Sequence, residues 1–192
     1  MIGEIGRWVF ERACIDRKRW DGHGGAFKLA VNMSAHQIMA PEFVAMVAEI
    51  LADTHTDPGL ITVEITEGAL IRDSRRAHIV LNDLKELGLN LALDDFGIGY
   101  SSLSYLKQFP FDIVKIDQSF VTDIDRDKYS HAIVSKSVEL AHLLGLTVTS
   151  EGVETVAQYL ALAELGSDRC QGYYFARPLA PERLDALVSS SN

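Results

Sequence analysis

Residues 60–97 read LITVEITEGALIRDSRRAHIVLNDLKELGLNLALDDFG and combine two short apolar runs with a helical pattern. The runs, residues 60–65 and 89–93, are rich in Val, Ile and Leu, as strands buried in a parallel sheet are. The helical pattern places four apolar residues on one face, namely Val80, Leu81, Leu84 and Leu87. Gly88 follows as a helix stop. The stretch therefore predicts a strand, a helix and a second strand of a parallel sheet.

The same alternation continues on both sides of this unit. Further strand-like runs cover residues 27–33, 111–116 and 146–150, with a weaker one at 169–173. Helical patterns cover residues 2–14, 41–51 and 133–144, and a last one opens with a Thr155–Gln158 capping box and ends near Gly166. A doubly wound nucleotide-binding sheet would need a glycine-rich loop after its first strand, and no strand before residue 90 has one. The pattern therefore favours an α/β fold of the (β/α) barrel type.

Two of these helices have apolar faces that should be buried. In the first helix, the residues roughly on one side are Ile5, Trp8, Val9 and Ala13. In the helix that Gly145 closes, the face consists of Ile133, Leu140 and Leu144, broadened by Val134, Val138 and Ala141. We expect both faces to pack against the sheet.

The length and the net charge of the chain limit its domain number and the kinds of partner it can bind. The chain has 192 residues, and its 27 acidic side chains exceed its 18 Lys and Arg by 9. This size predicts one domain over residues 1–192, and the acidic balance argues against a DNA- or RNA-binding protein that works by charge. No signal-peptide pattern and no membrane-length apolar run is found, and two distant cysteines fit a reducing compartment. We therefore expect a cytoplasmic protein without a membrane span.

Polar side chains recur where the predicted strands end. They are Asn32, Glu64, Glu67, Asp94, Asp95, Lys115, Asp117, Glu151, Glu154 and Gln171. A parallel barrel presents the C-terminal ends of its strands at one face, which carries the active site, so these residues are expected to converge. A single Asp-Asp pair is usually a turn or a helix cap, and a single Glu in a strand can face water. The same arrangement on five or six successive strands favours a functional site.

The residue types at these strand ends indicate a divalent metal. Carboxylate and amide oxygens, without His or Cys, select Mg²⁺ or Mn²⁺ over Zn²⁺. Adjacent carboxylates such as Asp94 and Asp95 can bridge two ions. Two ions about 4 Å apart are a common arrangement for phosphodiester hydrolysis.

Two other enzyme classes share some of these residues. Asp95-Phe96-Gly97 matches the metal-binding triplet of protein kinases, but the chain lacks the preceding glycine-rich loop and the His-Arg-Asp catalytic loop. Lys115 could form a Schiff base, as in some aldolases, although an aldolase has no need for so many carboxylates. Neither class explains the full set of acidic residues.

Six motifs together resemble the EAL-domain cyclic di-GMP phosphodiesterases of bacteria. They are AVNMS at 30–34, VEITE at 63–67, LDDFGIGYSSL at 93–103, VKID at 114–117, EGVET at 151–155 and QGY at 171–173, which continues to Pro178. Their order and spacing agree across the whole chain. The resemblance implies a modified TIM barrel that hydrolyses cyclic di-GMP to linear pGpG with two Mg²⁺ or Mn²⁺ ions.

The resemblance also implies a role for each strand-end residue. The first ion would be held by Asn32, Glu64 and Asp94, and the second by Asp94, Asp95 and Glu151. Lys115 would position the attacking water, Asp117 and Gln171 would support it, and Glu154 would be an accessory residue. Glu67 would anchor the loop that contains Phe96, Gly97, Ser101 and Ser102, which in the family couples the metal site to homodimerisation. Ile98 stands where the family usually has Thr.

The chain departs from the family pattern at its front. The Glu-Ala-Leu motif, whose Glu is a metal ligand, and a nearby substrate-binding Arg are expected one or two strands before residue 1. We therefore expect a domain incomplete at the N-terminus, within a parent chain that can carry GGDEF or sensory domains. Two interpretations stay open: an active phosphodiesterase, or a catalytically impaired module that binds cyclic di-GMP.

Overall fold

The computed structural model describes residues 2–21, 27–97 and 103–190. The strands are Leu29–Asn32 (β1), Ile61–Thr66 (β2), Asn90–Phe96 (β3), Ile113–Ile116 (β4), Thr147–Ser150 (β5) and Arg169–Cys170 (β6). The helices are Ile2–Arg17 (α1), Ala35–Ile38 (α2), Phe43–Asp53 (α3), Glu67–Arg72 (α4), Ser74–Glu86 (α5), Leu103–Gln108 (α6), Gln118–Val121 (α7), Lys128–Leu143 (α8), Val156–Glu164 (α9) and Pro181–Ser190 (α10).

The strands form one sheet in chain order, from β1 to β6. The pairings β1–β2, β3–β4, β4–β5 and β5–β6 are all parallel. Every predicted strand is present, and the weak run at 169–173 shortens to two residues. The predicted alternation of strands and helices in a parallel α/β fold is therefore confirmed.

The chain divides into two compact units, Met1–Leu91 with Leu179–Asn192, and Ala92–Pro178. In the first unit α1 packs against α3, and the core includes the fully buried Phe10, Val47 and Val63. The helix α10 is attached there by Asp185, which accepts hydrogen bonds from Trp20 Nε1 at 2.8 Å and from Arg19 at 2.5 Å. Among the described residues, no helix is both long and apolar enough to cross a membrane.

The expected apolar face of α1 was wrong. Ile5 and Trp8 are 58% and 64% exposed, whereas Phe10 and Cys14 are fully buried. The buried stripe is offset from the stripe that the larger apolar residues mark, so the helix turns a different side to the core. The start of α3 also differs: Pro41 lies in a turn in which the N–H of Phe43 bonds to Ala40 O at 3.2 Å, and the helix begins at Phe43.

In the second unit, α8 packs against β4 and β5. Its buried residues are Val134, Val138 and Ala141, while Ile133 is 43% exposed. The residues that were expected only to broaden the face are therefore its centre. The predicted Thr155–Gln158 capping box opens α9 and is confirmed.

Asp168 joins α8 to β5 and gives a pH-dependent prediction. Its carboxylate accepts from the Val148 N–H at 2.7 Å and lies 2.9 Å from His142 Nε2. Burial raises the pKa of Asp168, but the Val148 and His142 hydrogen bonds outweigh it and the net pKa is lowered. A lowered pKa means that the charged form stabilises the fold above about pH 4, the unfolded pKa, and that this stabilisation is lost as the pH falls through the folded pKa.

We therefore expect Asp168→Asn to lower the unfolding free energy near neutral pH by no more than about 1 kcal/mol, because the site is partly exposed and screened. The difference from the wild type should shrink below about pH 4. Chemical denaturation at several pH values measures it, with the exposed Asp53→Asn as control. A difference that persists unchanged at low pH would contradict this account.

Candidate functional site

The third strand contains a bulge at the two adjacent aspartates. Leu93 pairs with Val114 and Phe96 pairs with Ile116, so two residues, Asp94 and Asp95, stand opposite the single residue between those partners, Lys115. In a regular strand, successive side chains point to opposite faces, and a bulge interrupts that alternation. The bulge therefore places two successive aspartates opposite one lysine, and the charge of Lys115 acts on the pKa of Asp95.

The backbone of Asp95 has an uncommon conformation. Its φ is +57°, in the left-handed region that few residues other than glycine adopt, although Asp and Asn adopt it more readily than most. The N–H of Asp95 donates to Asp94 Oδ1 at 3.1 Å, which links the two neighbours directly. Strained backbone of this kind concentrates at functional sites, so the bulge is a candidate site on geometry alone.

Lys115 is the centre of the cluster. Its side chain is only 5% exposed, and its Nζ lies 3.1 Å from Asp94 Oδ1 and 2.7 Å from Glu151 Oε1. A buried ammonium group requires such counter-charges, because its desolvation is otherwise costly. Lys115 therefore joins carboxylates from β3 and from the segment that follows β5.

The Glu151 segment is fixed by its backbone. Glu151 comes directly after β5 and donates its N–H to O of Ile116, the last residue of β4, at 3.0 Å. This hydrogen bond extends the pairing of β4 with β5 by one residue. Gly152 follows with φ +70°, and a Cβ there would lie 2.3 Å from Gln118 Cβ. Only glycine fits that contact.

The remaining predicted residues of this segment lie on the same framework. Gln171 donates its N–H to Ser150 O at 2.8 Å, and its carbonyl accepts from the Val153 N–H at 3.0 Å. Glu154 donates its N–H to Gln158 Oε1 at 2.7 Å, within the capping arrangement of α9. These bonds place the backbones of both residues beside Glu151.

Asp117 has a structural role of its own. It is 9% exposed, comes directly after β4, and caps α7 through an Oδ1 that accepts from the Ser119 N–H at 2.7 Å. Asp117 is therefore a helix cap, whatever else it does at the site.

The electrostatics of the cluster favour a cation. Burial raises the pKa of Asp95, and the charges of Asp94 and Asp117 raise it further, against the opposing effect of Lys115. The donors are all oxygens, which is the chemistry that Mg²⁺ and Mn²⁺ prefer. The residues present therefore fit divalent ions, although no group of three His, Cys, Asp or Glu in the described ranges is arranged as a metal site as it stands.

The first unit contains three further predicted residues. Asn32, the last residue of β1, pairs in register with Glu64, which is buried within β2. Glu67, also buried, is the first residue of α4. Ser101 and Ser102 lie outside the described residues, so their predicted role in the loop stays a prediction.

In the second unit the structure brings together five of the predicted residues, namely Asp94, Asp95, Lys115, Asp117 and Glu151. The sequence did not single out Phe120, whose ring lies against Gly97. A single aromatic residue has no sequence pattern that distinguishes such a contact from ordinary core packing.

Comparison with known proteins identifies the family. The model of the EAL domain matches residues 1–178. The bifunctional diguanylate cyclase/cyclic di-GMP phosphodiesterase MucR of Pseudomonas aeruginosa is 38% identical over 190 residues, which are 98% of this chain and 28% of that protein. The chain spans about a quarter of the length of the curated relatives YkoW, of Bacillus subtilis, and MucR.

Solved structures show the same fold. The EAL enzyme Bd1971, in a form with cAMP and cyclic di-GMP bound, has a TM-score of 0.93 at 32% identity, covering 98% of this chain and 52% of that one. Klebsiella pneumoniae BlrP1, in a manganese and cyclic di-GMP complex, has a TM-score of 0.82 at 31% identity, covering 94% and 45%. These similarities confirm the predicted fold class, a modified (β/α) barrel. The chain belongs to the EAL domain family.

Proposed function

We propose that this chain is a metal-dependent phosphodiesterase that hydrolyses cyclic di-GMP to linear pGpG. The observation that carries the proposal is the buried Lys115 ammonium held by Asp94 and Glu151 beside the Asp94–Asp95 bulge. Relatives with the same fold are described as cyclic di-GMP phosphodiesterases or were solved with that nucleotide, which supports the substrate class.

Three acidic residues of the second unit, Asp94, Asp95 and Glu151, would hold divalent ions, Mg²⁺ or Mn²⁺. When bound, two such ions would activate water and neutralise charge on the phosphodiester. In the first unit, Asn32 and Glu64 keep the ligand role that the family resemblance predicts.

The other residues orient the reactants. Lys115 is fixed by two carboxylates and is therefore a directed donor, suited to hold a water in line with the scissile phosphorus. Asp117, Gln171 and Glu154 would keep the surrounding segments in place through the backbone bonds already described. An oriented water needs less ordering in the transition state, which lowers the barrier.

The negative net charge of the chain is compatible with an anionic substrate. Two divalent ions would place positive charge where the phosphates bind, so the local field differs in sign from the net charge of −9. We also propose, from the family resemblance, that the parent protein is a homodimer with GGDEF or sensory domains.

Product analysis tests the proposal. The chain is incubated with cyclic di-GMP and Mn²⁺, and the nucleotides are separated by chromatography. We expect pGpG to form with Mn²⁺ and no product with excess EDTA. Unchanged cyclic di-GMP under both conditions, with bound nucleotide detected on the protein, would rule out catalysis.

A second candidate function is binding of cyclic di-GMP without hydrolysis. The observation that favours it is the ion pairing of Lys115 with Asp94 and Glu151, which gives two of the predicted metal ligands a cationic partner within the protein. Calorimetry with and without Mn²⁺ separates the two functions. Tight binding that does not depend on metal, without turnover, would support the binding module.

A further inference from the structure

The short helix α7 lies against the backbone that follows the Asp94–Asp95 bulge. A Cβ built on Gly97 would lie 2.8 Å from Phe120 Cε2 and 3.2 Å from Cζ, so the ring is in direct contact with the glycine backbone. Gly97 has φ +102°, only two residues after the left-handed Asp95. The Phe120 ring therefore limits the position of the Gly97 backbone.

The same helix supports the Glu151 segment on another side. A Cβ on Gly152 would lie 2.3 Å from Gln118 Cβ and 3.1 Å from its Cα. Gln158 Nε2 donates to Thr122 O, just after α7, at 2.9 Å, and its Oε1 accepts from the Glu154 N–H. Both acidic segments that flank Lys115 therefore rest on one helical turn.

The two contacts differ in what they require of α7. The Gly152 contact involves Cα and Cβ of Gln118, which every residue except glycine would supply. The Gly97 contact involves the outer ring atoms of Phe120, which a smaller side chain would not supply. The side chain of Phe120 is thus the specific element of this support.

We propose that Phe120 is a positioning residue for Asp95, acting through Gly97, and that it holds the bulge in the register that faces Lys115. The inference rests on the proposed function, since it assigns Asp95 to a divalent ion. The partners that orient a metal ligand typically change metal affinity by about 10–100-fold when they are removed.

Mn²⁺ binding without nucleotide tests the proposal independently of turnover. Calorimetry on Phe120→Ala is expected to show an affinity for Mn²⁺ at least about tenfold weaker than in the wild type. Phe120→Leu keeps apolar bulk but lacks the outer ring atoms of the Gly97 contact, so its affinity should lie between those of the wild type and Phe120→Ala. The matched control is Val121→Ala on the same helix, a fully buried residue, which should lower the melting temperature and leave Mn²⁺ affinity unchanged.

The outcomes test the proposed function and the role of Phe120 separately. A wild-type chain that does not bind Mn²⁺ would contradict the proposed function itself. If Phe120→Ala binds Mn²⁺ with the affinity of the wild type, Phe120 has no positioning role. The role is also overturned if Val121→Ala loses as much affinity as Phe120→Ala, because the effect would then be a general loosening of α7. If Phe120→Ala does not fold, Phe120→Leu decides: an affinity between those expected for wild type and alanine supports the role, and a wild-type affinity overturns it.

Discussion

Asp94→Asn is expected to lower kcat for cyclic di-GMP hydrolysis by at least about 10²-fold, the scale of losing one electrostatic stabiliser of the transition state. Asp94 is paired with Lys115 at 3.1 Å and is the residue that the family resemblance assigns to both ions. Asn has nearly the same shape as Asp, so packing is kept while the charge is removed. Steady-state rates at saturating Mn²⁺ measure the effect.

The control for this variant is Asp53→Asn, an exposed aspartate on α3, whose rate should equal that of the wild type. Mn²⁺ affinity should fall in Asp94→Asn and not in the control. A nearly normal kcat in Asp94→Asn would remove Asp94 from the mechanism.

Lys115→Met is expected to lower the unfolding free energy of the metal-free protein by about 3 kcal/mol and to reduce hydrolysis at least about 10²-fold. The substitution removes the ammonium group that lies 2.7 Å from Glu151 and 3.1 Å from Asp94, and leaves two poorly exposed carboxylates without that charge. Removing one partner of a buried ion pair leaves a charge whose desolvation is uncompensated.

Chemical denaturation without metal gives the stability part of this prediction. The control is Lys136→Met on α8, whose side chain is 78% exposed and pairs with Glu139, so its loss should change the unfolding free energy by less than about 0.5 kcal/mol. If Mn²⁺ neutralises the same carboxylates, it should stabilise Lys115→Met by more than the wild type. Equal stability of Lys115→Met and wild type in EDTA would contradict the assigned ion pairs.

The strands could be predicted from the sequence because they are short apolar runs between clear helix signals. Residues 111–116 and 146–150 contain β4 and β5, and Thr155 with Gln158 opens α9. The polar residues at the strand ends can be recognised because the same arrangement recurs on five or six successive strands, whose C-terminal ends share one face of a parallel barrel. The composition of the cluster was therefore predictable.

The bulge at Asp94–Asp95 could not be predicted. Two successive aspartates in a regular strand would face two successive partner residues, whereas the observed register shift sets both opposite Lys115. The apolar run 89–93 predicts a strand that ends at residue 93, whereas β3 continues through Phe96. Strand periodicity contains no signal for an inserted residue.

The side of α1 that faces the core could not be predicted from the sequence either. Trp8 and Ile5 mark the strongest apolar stripe, yet Phe10 and Cys14 are the buried residues. Which side of a helix is buried depends on its tertiary neighbours, and periodicity shows only which stripe is most apolar. The contact of Phe120 with Gly97 is of the same kind, because it joins residues that no local pattern relates.

We propose that this chain catalyses water attack on a phosphodiester bond of cyclic di-GMP. The direct measurement is the reaction with Mn²⁺ in water enriched in the heavy oxygen isotope, followed by mass spectrometry of the products. We predict pGpG with one heavy oxygen in its terminal phosphate, and no labelled product from Asp94→Asn in the same time. Cyclic di-GMP recovered intact, or pGpG without the label, would contradict catalysis of water attack by this chain.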